Sequence, residues 1–228
     1  MSFDTKYIST ALFNSFPNPK KARRRFAVMT TRHFYLLRHG LPEGAQCLRG
    51  KTDFALTSQG FAQMQAAISS GLAIDAIYTS PLMRCTTFAM ALAKQRGCPL
   101  ETLDSLAEMD FGDWDGMAFD ELYEQFPDEL ERFWRDPWGT TPPNGEKLSD
   151  FDLRVANTWR TITNSSDAEN TLIVTHSGFI KQLLRQLLQM PKNALYLQRI
   201  SLNYAAKIHI SVFTDEHGKT WPTIQWSS

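Results

Sequence analysis

The chain has 228 residues, 43% apolar and 21% charged, with 24 Lys+Arg balancing 24 Asp+Glu. That apolar share supports a packed core and excludes a chain disordered throughout. No run approaches the ~20 apolar residues of a membrane-spanning helix, and zero net charge argues against a general nucleic-acid binder, so neither a membrane nor a nucleic-acid partner is expected.

At roughly 150 residues per domain the length fits one large domain, or one domain carrying an insertion. Cys47, Cys85 and Cys98 are irregularly spaced. They form neither a disulfide framework nor a metal-ligand pattern, and they suit a reducing, cytoplasmic setting.

Residues 1–31 hold Lys6, Lys20, Lys21, Arg23, Arg24 and Arg25 against Asp4. Such an acid-poor start is compatible with a transit peptide. The plainer expectation is a flexible extension, or residues ahead of a start at Met29, with the domain proper at 32–228. His33–Leu37 is a short apolar run ending at Arg38-His39-Gly40, which predicts a buried strand. Thr57 is a plausible cap for a helix that places Phe61, Met64 and Ile68 on one face. Asp75–Thr79 predicts a second strand, and Ser80-Pro81 the cap and first turn of a helix reaching about Arg96. A weaker strand is expected at Leu100–Leu103.

Residues 110–146 break this rhythm with Trp114, Trp134, Trp138, several prolines and acids. They read as a small helical lid insertion, with helical pieces at Phe119–Phe126 and Glu129–Trp134. Beyond it lie an amphipathic helix at Leu148–Ile162, a buried strand at Thr171–Thr175, a helix at Phe179–Gln189 and one or two strands within Ile200–Phe213. Strand–helix alternation predicts an α/β fold, a three-layer α/β/α sandwich with a mostly parallel sheet and helices on both faces. The sequon Asn164-Ser-Ser166 is expected in a loop.

In such sheets ligands sit beyond the carboxyl ends of the strands. Arg38-His39, Thr79-Ser-Pro-Leu-Met-Arg84 and His176-Ser-Gly178 all follow predicted strands. Two imidazoles and two guanidinium groups meeting at one edge repel unless an anion joins them, and a phosphoryl group matches the arginine fork. A neutral imidazole can accept that phosphoryl group, while Arg38, Arg84 and His176 offset charge on its oxygens. The departing oxygen needs a proton, for which Glu108 is the candidate acid, with Asp110, Asp113 and Asp115 as rivals. Ala45–Thr52 fits a loosened P-loop pattern but lacks the immediate helix that a P-loop requires.

Taken in order, Arg38-His39-Gly40, Arg49–Thr57 with Gly60, Thr79-Ser80-Pro81-Leu82 with Arg84, and His176-Ser-Gly178 resemble the motifs of the histidine phosphatase superfamily, over about Phe34 to Phe213. The stretches Glu108–Gly116, Pro143–Glu146 and Met190-Pro191 are similar to those of α-ribazole phosphatases. The resemblance implies His39 as nucleophile, Glu108 as acid, and Arg38, Arg84 and His176 as phosphate ligands, with neither metal nor cofactor. It implies hydrolysis of a small-molecule phosphomonoester, α-ribazole 5′-phosphate first. A broad sugar phosphatase or phosphoglycerate mutase-type enzyme is the alternative, and a non-catalytic phosphate-ligand binding protein comes third. It leaves a homodimer open. Leu41-Pro42-Glu43 and Ala45 depart from the family pattern, so Gln46 or Arg49 is expected to supply the outer phosphate contact.

Overall fold

The computed structural model describes residues 29–68 and 71–225. The expectation for residues 1–31 falls largely outside that range, although Thr30 and Thr31 already belong to the first strand. Six strands form one mixed sheet: β1 (Thr30–Arg38), β2 (Ala76–Thr79), β3 (Leu100–Thr102), β4 (Asn170–Thr175), β5 (Lys207–Thr214) and β6 (Thr220–Gln225), in the order β3-β2-β4-β1-β5-β6. The four from β3 to β1 are parallel, and β5 runs against β1. The expected strand near Ile200 starts only at Lys207, and β6 was not anticipated because its short run is nearly all exposed.

Alternation along β1 divides the core. Tyr35 and Leu37 face α1 (Ser58–Ala67) and α2 (Met83–Arg96), packing with Met64, Phe88 and Leu92. Phe34 and Leu36 face the opposite layer, with Val155 of α5 (Leu148–Ser165) and Phe179 and Leu183 of α6 (Ser177–Leu187). Such period-two burial specifies register, since a one-residue slip would invert both faces. Residues 110–146 carry α3 (Phe119–Gln125) and α4 (Pro127–Arg135), and their Trp114, Leu122, Leu130 and Phe133 are buried in that same second cluster. A short α7 (Leu195–Arg199) also went unforeseen. The sequon falls at the end of α5 and not in a loop, because Thr163 and Ile162 still turn a buried face inward.

Local chemistry sets two junctions near the sheet's carboxyl edge. The Thr57 hydroxyl accepts from Gly60 N at 2.9 Å as the expected cap of α1, and donates to Leu41 O at 2.8 Å, tying the loop after β1 to that helix. A Cβ on Gly40 would clash with the Gly60 backbone, so only glycine permits this approach. The start of α2 differs from expectation. Ser80 and Pro81 precede the helix, and its first amide, Met83 N, donates to the Asp53 carboxylate at 2.7 Å. Ser80 is drawn elsewhere, into the site described next.

Candidate active site

Parallel register brings the key side chains together. Arg38 of β1 pairs with Thr175 of β4, and Thr79 of β2 pairs with Val174, so the strands end side by side. The chain continues as His39, Ser80 and His176 from three adjacent ends, with His39 N bonded to Thr175 O and Ser80 N to Val174 O. The rings of His39 and His176 lie 5.3 Å apart, edge to face. His176 Nε2 is 2.7 Å from Ser80 Oγ, which explains why that serine does not cap α2.

His39 is buried, and its Nδ1 lies 2.8 Å from Gly40 O. A carbonyl only accepts, so Nδ1 carries the proton and Nε2 holds the free lone pair. Burial, then the nearby Arg84 and Arg38 guanidinium groups, push the His39 pKa down to about 3, with the Gly40 bond opposing. The imidazole is therefore neutral at ordinary pH. Burial and Arg84 likewise hold His176 well below the usual histidine range.

Arg84 and His176 are both fully buried. Arg84 donates to Gly50 O at 2.6 Å and Thr52 O at 2.8 Å. Arg38 donates to Leu202 O and lies over the Tyr204 ring, 4.2 Å from its centroid. Arg38 Nε, Arg84 Nε and His176 Nδ1 are buried without a hydrogen-bond partner in the structure. Each such group costs about 1–3 kcal/mol unless something satisfies it, and an anion among these groups would do so.

Glu108 is buried beside them. Its carboxylate accepts from Gly178 N at 2.8 Å, Phe179 N at 3.1 Å and Met109 N at 3.2 Å. Burial raises its pKa above the usual carboxylate value, opposed by the Gly178 and Met109 amides and by Arg84 and Arg38. Its rivals are engaged elsewhere. Asp110 pairs with Lys51 at 2.7 Å, Asp113 accepts from Asn144 at 2.9 Å, and Asp115 is taken up by three loop amides. Around Glu108 the backbone is clamped by Arg154, which binds the carbonyls of Ser105, Ala107 and Glu108 and is itself paired with Glu146 at 2.7 Å.

A cavity of about 380 Å³ opens from His39, Arg38 and Glu108. Its far wall is apolar, with Phe111, Phe119, Phe133, Trp134, Phe151 and Leu197. Gln46 and Arg49 line it too, but the Arg49 guanidinium is committed to the carbonyls of Glu43, Gly44 and Ala45 and stacks on Phe54. The segment resembling a P-loop, 45–52, is an irregular loop with its next helix only at Ser58.

Beyond the apolar wall, Lys181 and Tyr204 also line the cavity without having been singled out in the sequence. Lys181 donates to Leu197 O at 2.7 Å, and burial lowers its pKa against the pull of Glu108. It stands four residues after Ser177 on α6, a spacing that shares one helix face and could have flagged it. Tyr204 gave no such signal. It is placed by the turn before β5, where Ala205 adopts φ 57° and its amide donates to His39 O at 3.1 Å.

The family model for the histidine phosphatase superfamily (branch 1) matches residues 34–222. The bifunctional protein Rv2228c of Mycobacterium tuberculosis is 33% identical over 178 residues, covering 76% of this chain and 49% of that protein, so the chain spans about half the length of this relative. The adenosylcobalamin/alpha-ribazole phosphatase of Escherichia coli is 26% identical over 181 residues, covering 78% of this chain and 89% of that one. The solved structure of Bacillus stearothermophilus YhfR superposes with a TM-score of 0.75 at 25% identity, covering 85% of this chain and 96% of that one. With the motif order, the sheet and the match over 34–222 in agreement, the chain belongs to the histidine phosphatase superfamily.

Proposed function

We propose that the chain is a metal-independent phosphomonoesterase working through a phosphohistidine at His39. The observation that carries this is the placement of the buried His39 ring, its Nδ1 2.8 Å from Gly40 O and so holding the proton, 5.3 Å from the ring of the buried His176. In the first step the Nε2 lone pair forms the N–P bond, the ester P–O bond breaks, and the Glu108 carboxyl gives its proton to the departing oxygen. In the second step the Glu108 carboxylate takes a proton from water, the water oxygen bonds to phosphorus and the N–P bond breaks. Phosphate leaves, with His39 neutral again and Glu108 protonated. Arg38, Arg84 and His176 offset charge on the phosphoryl oxygens in both steps.

The substrate we infer is α-ribazole 5′-phosphate. The aromatic wall of the cavity suits a flat, apolar leaving group far better than a small charged one, and residues 110–146 act as its cover. Lys181, a cation lining the same cavity, favours a second reading, a substrate with a further acidic group, as in a sugar phosphate or phosphoglycerate. Turnover of α-ribazole 5′-phosphate and 3-phosphoglycerate, with and without chelator, separates the two. A kcat/KM at least tenfold higher for the ribazole ester, unaffected by chelator, is expected. Preference for 3-phosphoglycerate, or mutase turnover stimulated by a bisphosphate, would overturn the assignment.

A further inference from the structure

Arg84 is a fully buried cation whose guanidinium hydrogen bonds go to two backbone carbonyls, Gly50 O and Thr52 O. Both belong to the irregular segment between Leu48 and Leu56, where neither helix nor strand fixes the peptide planes. Carbonyls in a loop orient a charged fork only as well as the loop itself is held.

The hold comes from Asp115, more than sixty residues away in sequence. Its Oδ1 accepts from Gly50 N at 3.0 Å and Thr52 N at 3.2 Å, and its Oδ2 from Lys51 N at 2.5 Å. One carboxylate thus gathers three successive amides of the segment whose carbonyls hold Arg84. The Lys51 amide shares its peptide unit with Gly50 O, so a negative charge on that amide strengthens this carbonyl as an acceptor, while Thr52 O is held in place through the anchored Thr52 amide of the same residue. Asp115 is itself anchored. It follows Trp114, which is fully buried, and its amide donates to Gly112 O at 3.0 Å. The fit is close, because a Cβ on Gly50 would strike Met109 O and the Asp115 carboxylate. Both oxygens of the Asp115 carboxylate are already spent on these three amides, and Asp115 is not among the residues that line the cavity.

We infer that Asp115 is a positioning residue for phosphoryl transfer, acting through the 50–52 peptides on Arg84. The inference rests on the proposed role of Arg84 as a phosphoryl ligand.

A double-mutant cycle tests it. Asp115→Ala alone should lower kcat/KM roughly 10–100-fold, the range typical for residues that orient a ligand from behind. The fall should be equal for p-nitrophenyl phosphate and an alkyl phosphate, because the defect lies on the phosphoryl side and not at the leaving group. Asp115→Asn should recover part of the loss, since one amide oxygen can still take the Gly50 and Thr52 bonds. In an Arg84→Ala background, Asp115→Ala should cost less than about 3-fold, having nothing left to position.

An equal loss in both backgrounds would overturn the inference while leaving the phosphatase assignment intact. Arg84→Ala with unchanged turnover would instead refute the phosphoryl role of Arg84, and the positioning role with it. If Asp115→Ala does not fold, Asp115→Asn carries the cycle, with the thermal shift produced by inorganic phosphate as a second readout. That shift should shrink in Asp115→Asn and should not change further between Arg84→Ala and the double variant. A full phosphate shift in Asp115→Asn contradicts the inference.

Discussion

The two ends of the cavity are built on different principles. At the carboxyl edge of the sheet the polar groups are placed by backbone: strand register sets His39 beside His176, peptide carbonyls hold both arginines, and helix amides hold Glu108. At the far end the wall is made of apolar, mostly aromatic side chains from α3, α4, α5 and α7 and from the turn at Phe111, set by packing. Reaction chemistry thus rests on groups fixed by main-chain hydrogen bonds, and choice of leaving group on side chains that can change without disturbing the sheet. This comparison predicts that substitutions at the first end damage turnover of every substrate, whereas substitutions at the second alter which substrate is preferred.

The largest effects are expected at the polar end. Arg38→Ala and Arg84→Ala should each remove about 2–4 kcal/mol of transition-state stabilisation, for small and bulky esters alike. A loss confined to bulky esters would erase the distinction between the two ends. Next comes Glu108. Its raised pKa keeps the carboxyl protonated to higher pH than an ordinary glutamate, so transfer from poor leaving groups should fall as pH rises through that pKa. Glu108→Gln should abolish that limb and slow alkyl esters more than p-nitrophenyl phosphate; equal slowing of both would contradict the acid role. Gly178→Ala is a gentler version of the same test. Its methyl would press on the Glu108 carboxylate and loosen its bonds to the Gly178 and Phe179 amides, lowering alkyl-ester turnover more than that of p-nitrophenyl phosphate, at some cost in thermal stability.

The smallest effect belongs to the aromatic end. Trp134→Ala should raise KM for an aromatic ester by on the order of 1 kcal/mol, with kcat and small-ester turnover unchanged. A fall in kcat for all substrates would show that the wall also shapes the chemistry.

The same division governs what the sequence revealed. His39 and His176 were legible because each closes a short apolar run that can only be a buried strand, and parallel strands must end together. Ser80 was misassigned as a helix cap because its partner, His176, is 96 residues away, and no local pattern announces that bond. Tyr204 depends on a left-handed turn at Ala205, an alanine carrying none of the composition signals of such turns. Asp115 looked like a spare acid until the 50–52 amides were seen to converge on it. The aromatic wall was hardest to read, since Phe111 stands in an irregular turn and Phe119, Phe133 and Trp134 sit on two short helices with no sustained period.

The His39 shift has a consequence for stability as well. Its folded pKa lies below the unfolded value of about 6.5, so the unfolded chain binds the extra proton between those two values. Stability is fully present above pH ~6.5 and declines as pH falls toward 3. NMR titration of the His39 ring should find its midpoint near 3, and a midpoint close to 6.5 would contradict the neutral, buried nucleophile.

The most direct measurement is acid-sensitive trapping of the covalent intermediate. Protein mixed with a radiolabelled phosphomonoester and quenched in alkali should carry label on the peptide containing His39. That label should be lost in acid, and both label and turnover should be absent from His39→Ala. Label on another residue, or undiminished hydrolysis by His39→Ala, would contradict phosphoryl transfer through this imidazole.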